Sequence, residues 1–262
     1  MRALRRMLRV DLHRSIVSPR FLFACILTLA WLTVNASDYV LKDNFLDISP
    51  MALVLNAATI STYHFGDLIF AISAVTYAWS YCQDAESGFF LQAVQRVGLG
   101  RYCLARILTV CISAILTAFT AMTVFVLYLL TLNLPPEDAF ILEGGQAFLT
   151  IAGRYGFIPY FLVRLTVTGL TCALAAMFGL MVSSFISNVY LAILSPISAL
   201  YIFKIIFNTL GIRDNKWYLN IVAFGQAFPD DWKSFLWAVC YLLILIVACG
   251  CVFYRRLQKE GT

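Results

Sequence analysis

Residues 233–254 read KSFLWAVCYLLILIVACGCVFY, and after Lys233 none of them is charged. A helix needs about 20 residues to cross a hydrocarbon core of roughly 30 Å, and an uncharged run of this length is a span candidate. Five further runs share its character, at about 21–37, 66–83, 106–132, 157–184 and 188–209. The second is the weakest, short and opened by Asp67. None alternates apolar and polar residues as barrel strands do. Helices satisfy every backbone group within their own segment, so they are the spanning solution. With 61% hydrophobic and 13% charged residues, no soluble interior is large enough to hide this apolar surface. The sequence predicts an all-α integral membrane protein, a single domain over 1–262 with six transmembrane helices and no sizeable soluble domain.

Basic residues set the orientation. With the N-terminus in the cytoplasm, six crossings return the C-terminus there. The cytoplasmic segments then hold Arg2, Arg5, Arg6, Arg9, Arg14, Arg20, Arg96, Arg101, Arg106, Arg255, Arg256 and Lys259. The external loops hold only Lys42, Arg154, Arg213, Lys216 and Lys233, and the excess of lysine and arginine inside favours this orientation. The net charge of +5 is therefore a topology signal and not a nucleic-acid one. A multi-pass protein of the plasma membrane is expected, in a bacterium the inner or cytoplasmic membrane. The basic region and the small residues at 35–37 look like a secretory leader, but five more runs follow, so the first is read as an uncleaved signal anchor.

Before the first run, residues 1–18 place Arg2, Arg5, Arg6, Arg9 and His13 on one helical face, with Leu4, Met7 and Leu8 turned away. This predicts an amphipathic helix on the inner leaflet, the alternative being a basic flank without defined structure. Asp11 interrupts the apolar face, and Arg14 is its expected partner. Ser18-Pro19 ends the helix. Outside, residues 51–60 (MALVLNAATI) are apolar but too short to span. The segment 210–232 carries Trp217, Tyr218, Phe224, Phe228 and Trp232 among polar residues, a composition suited to the headgroup level, so short interfacial or re-entrant helices are expected there. Pro196 falls midway along the fifth run and should kink it.

Three charges lie inside the runs: Asp67, Arg164 and Lys204. Charge at such depth is costly unless paired, hydrated or snorkelled. They read either as a polar cluster lining a substrate path or as two snorkelling cations and a helix-capping aspartate. The inventory for an intramembrane enzyme is poor. The only histidines are His13 and His64, no His-Glu-x-x-His is present, and no glycine-rich phosphate loop ends in Lys-Ser or Lys-Thr. No catalytic residue and no metal ligand is assigned, and no cofactor is expected in this chain. The eight cysteines lie in the runs or at their cytoplasmic ends, and Cys249 and Cys251 lack zinc-site spacing, so they read as packing residues.

Between the second and third runs the chain reads QDAESGFFLQAVQRVGLGRYCLARIL. This stretch resembles the cytoplasmic segment between spans two and three of permease subunits of type-2 ATP-binding-cassette (ABC-2 type) exporters, in their bacterial half-size form. Asp84, Glu86 and Gly88 match the acid-x-acid-x-Gly start of that segment. Phe90, Leu91 and Val94 match its apolar stretch, Gly98 and Gly100 its turn, Tyr102 a frequent aromatic and Arg106 the closing basic residue. Phe89 stands where threonine is common, and the turn has no proline. The resemblance implies a coupling helix over 84–104 that docks in a groove of a separate ATPase subunit. There Phe89, Phe90, Leu91 and Val94 would bury an apolar face while Asp84, Glu86 and Arg96 orient it at the rim. It further implies a second permease, identical or different, ATP and Mg held by the partner ATPase, and export of a drug or antimicrobial peptide. A non-transporting scaffold or sensor using the same dock is the alternative, and an intramembrane enzyme the remote one.

Overall fold

The structure is a computed structural model and describes residues 2–36, 51–60, 68–131, 148–211, 219 and 227–260. Among these, helix is the only regular secondary structure. The chain runs α1 (Arg2–Ile16), α2 (Pro19–Asn35), α3 (Met51–Ile60), α4 (Leu68–Val75), α5 (Ser80–Glu86), α6 (Phe89–Val97), α7 (Leu99–Thr131), α8 (Leu149–Tyr155), α9 (Phe157–Ser183), α10 (Val189–Thr209) and α11 (Asp231–Glu260).

Among the described residues, four helices are long and apolar enough to cross a membrane: α7, α9, α10 and α11. A fifth results if α1 and α2, bent by 55° at the Ile16–Pro19 break, count as one span. Ser18 makes that break by capping α2, its hydroxyl accepting from the Phe21 N–H while Pro19 takes the first helical position. Six continuous spans are not what the described residues show. Two runs fall short: the run at 21–37 is α2, which counts only together with α1, and the run at 66–83 divides into α4 and α5 around a turn at 76–79. No proline or glycine causes this division. Ser73 and Thr76 hydroxyls donate to the carbonyls of Phe70 and Ser73, and the Trp79 indole N–H to that of Val75, side-chain competition of the kind that bends helices. Asp67 lies outside the described residues, as does most of the segment 210–232.

Helix α9 is the centre of the bundle, packed by α7, α11, α10 and α4. In lipid, helices gain little from burying apolar surface against each other, so close approach through small residues matters most. Gly179 shows this directly. A Cβ there would lie 2.4 Å from the carbonyl oxygen of Ala192 on α10 and 3.1 Å from the Cβ of Ala78 in the turn. The Ala192 carbonyl is the one that Pro196 cannot satisfy, and the Ser195 hydroxyl donates to it instead, at 3.4 Å. Along α7 the buried hydroxyls of Thr109, Ser113 and Thr117 donate to carbonyls of their own helix, which leaves a smooth, small-residue face. The apolar helix α3, expected at the outer interface, buries Met51, Val54, Leu55 and Ala58 and packs on α2 and α9.

The ends of the bundle differ in charge. At one end α1, the α5–α6 hairpin, the start of α7 and the close of α11 come together. Tyr81 and Phe253 meet edge to face at 5.7 Å, Gly100 lies beside the Tyr254 ring, and Arg256 sits over Phe185 after α9. Exposed Arg5, Arg6, Arg9, Arg14, Arg20, Arg96, Arg101 and Arg255 surround this end. At the other, Asn35 Nδ2 donates to the Ala58 carbonyl and Thr150 donates to the Asp231 carboxylate.

Candidate functional site

At the basic end a cluster of ionic and phenolic groups is buried beneath the α5–α6 hairpin. Arg106, on α7, is 1% exposed. Its Nη2 donates to Oδ2 of Asp84 on α5, and its Nη1 donates to the Tyr77 hydroxyl at 2.6 Å. Nη1 also lies 3.6 Å from Oδ1 of Asp11 on α1. The Tyr102 hydroxyl donates to the same Asp84 oxygen at 2.6 Å. The rings of Tyr77 and Tyr102 each lie 5.5 Å from the guanidinium, close enough for cation–π attraction. Burial pushes the Asp11 carboxyl above its ordinary value, with the Arg106 charge pulling the other way.

This arrangement changes the parts assigned to the hairpin residues. Asp84, expected at a rim, is 7% exposed and pairs within the chain. It does so because α5 is short and turns Asp84 toward α7, where the Arg106 fork accommodates it. Asp11 makes its ion-pair contact with Arg106, the Arg14 charge acting on it only more weakly, since the face of α1 that bears it, together with Met7 and Ser15, turns to the bundle. Phe90, expected on the outward apolar face, is buried, its ring 5.6 Å from Tyr81 and 5.3 Å from Tyr102. Val94 is half-buried and packs inward with it. Gly100 is not in the turn but inside α7.

What remains outward on α6 is Phe89, 38% exposed, and Leu91, 61% exposed, with Arg96 on the same helix and Glu86 on α5 also exposed. Gly88 and Gly98 bracket α6 with φ of +70° and +87°, conformations that glycine adopts without a Cβ penalty. The result is a short helix held on one side by aromatic rings and a buried ion pair and open on the other.

Two other features stand apart. Arg164 is fully buried on α9, 5.6 Å from the Phe148 ring. Lys204 is half-buried on α10, 5.9 Å from the Tyr201 ring. Between α9, α10 and α11 lies an apolar cavity of about 280 Å³ walled by Phe70, Leu174, Phe178, Pro196, Phe203 and Tyr241.

Comparison with protein-family models, with curated proteins and with solved structures finds no match.

Proposed function

We propose that this chain is the transmembrane subunit of an ATP-driven exporter of the ABC-2 type, and that its basic end is cytoplasmic and receives a separate ATPase. The observation that carries the reading is the hairpin: α6 presents Phe89 and Leu91 outward while its inner side is fastened to the bundle through Phe90, Asp84, Tyr102 and Arg106. A helix meant only to connect two spans needs neither exposed large apolar side chains nor a buried ion pair beneath it. Exposed apolar anchors rimmed by charge suit a protein contact, and a rigid inner attachment suits the passing of a partner's movement to α7. A concentration of arginine at this end supports its cytoplasmic placement. The export of an amphipathic drug or antimicrobial peptide follows from the resemblance, and the apolar cavity beside Pro196 is compatible with an apolar cargo group.

The test is purification of the full chain from its native membrane in mild detergent, followed by identification of its companions and reconstitution into vesicles. An ATP-binding subunit without spans of its own should co-purify, and ATP should drive uptake into inverted vesicles. A chain that arrives alone overturns the reading. A chain that brings an ATPase but moves nothing across the vesicle is the scaffold or sensor.

A further inference from the structure

A groove of about 690 Å³ opens at the basic end, between the α1–α2 elbow and the α5–α6 hairpin. Its wall includes Arg14, Arg20 and Arg106 against the single carboxylate of Asp84, which Arg106 already engages. The N-terminus of α2 opens into it at Ser18 and Pro19. Arg20 lies over Trp79, its guanidinium carbon 3.7 Å from the ring centroid, a contact that holds the guanidinium by cation–π attraction and leaves its N–H groups to donate elsewhere. The Ser80 hydroxyl, 3% exposed and in the wall, has no hydrogen-bond partner among the described residues. Cationic edges and a buried unsatisfied hydroxyl together form an anion site.

We propose that this groove binds the phosphate headgroup of an anionic phospholipid, with Arg14, Arg20 and the Ser80 hydroxyl holding the phosphate and the apolar flank of α2 carrying the acyl chains. The choice of a lipid over a free phosphate rests on what continues below the groove. Phe23, one turn beyond Arg20 on the same side of α2, is 54% exposed, and Leu22 and Ile26, 63% and 55% exposed, carry the apolar surface on around the helix. A soluble anion would use the wall and leave this surface idle; a phospholipid uses both. Phe89 and Gln92 of the hairpin line the opposite side, so a bound headgroup also touches the helix proposed to receive the ATPase. The lipid site needs only the α1–α2 elbow at a membrane surface and stands whether or not an ATPase docks.

The full chain in a neutral detergent is titrated with dioleoylphosphatidylglycerol, with dioleoylphosphatidylcholine, and with inorganic phosphate, and bound molecules are counted by native mass spectrometry. The phosphatidylglycerol should bind more tightly than the phosphatidylcholine, and millimolar phosphate should not displace it. Arg14→Gln/Arg20→Gln, at two exposed positions, should weaken it by roughly tenfold to thirtyfold, as expected for two basic groups near a headgroup. Arg5→Gln/Arg9→Gln removes the same charge from the exposed side of α1, outside the groove, and should change it by less than about threefold. Equal losses in the two double variants would mean diffuse attraction and overturn the site. Displacement by inorganic phosphate would make it a soluble-anion site and overturn the lipid assignment. Unchanged lipid affinity in Arg14→Gln/Arg20→Gln with loss of a co-purifying protein would make the groove a protein contact instead.

Discussion

The guanidinium of Arg106 lies 3.6 Å from the carboxylate of Asp11, and so the first helix of the chain and the third long apolar run share one buried charge. Asp84 takes the other branch of the same fork. Three elements that are separate in sequence are therefore fastened at a single side chain.

Removing one partner from a buried pair leaves an uncompensated charge and costs about 3–5 kcal/mol. Asp84→Asn should lower the thermal unfolding midpoint of the detergent-solubilised chain more than Asp11→Asn does, because Asp84 also accepts from Tyr102. Tyr102→Phe should cost about 1–3 kcal/mol alone and much less in the Asp84→Asn background. An additive double variant would show that the two side chains do not act through one hydrogen bond.

The two neighbouring phenylalanines of α6 should behave differently. Phe90→Ser removes a ring packed on Tyr81 and Tyr102 and should destabilise the chain by about 3 kcal/mol or more. Phe89→Ser/Leu91→Ser changes exposed side chains and should leave the unfolding midpoint unchanged. If these are interface anchors, each contributes about 2 kcal/mol, and the ATPase should be lost on purification while the chain still reaches the membrane. Retention of the ATPase by that double variant would leave the hairpin without a docking role.

Gly179→Leu should prevent α9 and α10 from closing, since even the first atom of the side chain meets the Ala192 carbonyl at 2.4 Å. The expected outcome is loss of monodisperse protein on gel filtration. Gly153→Leu, on α8 with open space at the Cβ position, is the control and should behave as the parent chain.

Sidedness is measured by single cysteines in a background freed of the eight native ones. Cysteine at Arg154, exposed on α8, should react with an impermeant thiol reagent in intact cells, and cysteine at Gln95, exposed on α6, should react only after the membrane is opened. The reverse pattern would invert the topology.

The long helices were legible because an uncharged run of about 20 residues has one economical solution in lipid. The break at 76–79 was not, because it arises from hydroxyl and indole donors rather than from proline or glycine. Asp11 looked like a flaw in an amphipathic face; its partner is far along the chain, and no local spacing reports such a pair. In the hairpin the acids, glycines and aromatics stood out together, but their division into inward and outward was hidden. Successive helical residues turn by about 100°, so adjacent Phe89 and Phe90 face different ways. The rotation of α6 is set by Gly88 at φ +70° and by the rings around Phe90.

The turn at 76–79 has a mechanical consequence. A rod transmits thrust along its axis best while its ladder of hydrogen bonds is regular, and between α4 and α5 the ladder is irregular: the Ala78 N–H still reaches the Ala74 carbonyl, the Ser80 N–H shifts to that of Tyr77, and the Thr76 and Trp79 side chains share the carbonyls of Ser73 and Val75. In the proposed exporter, a push on the hairpin would be delivered only weakly up its own helix. Most of it would leave sideways, through Asp84 and Arg106, into α7, whose 33 residues reach about 50 Å without interruption, while Ala78 packs beside Gly179 of α9. The far side of the membrane would feel the displacement through a neighbouring helix, and the joint at 76–79 is where the load changes hands.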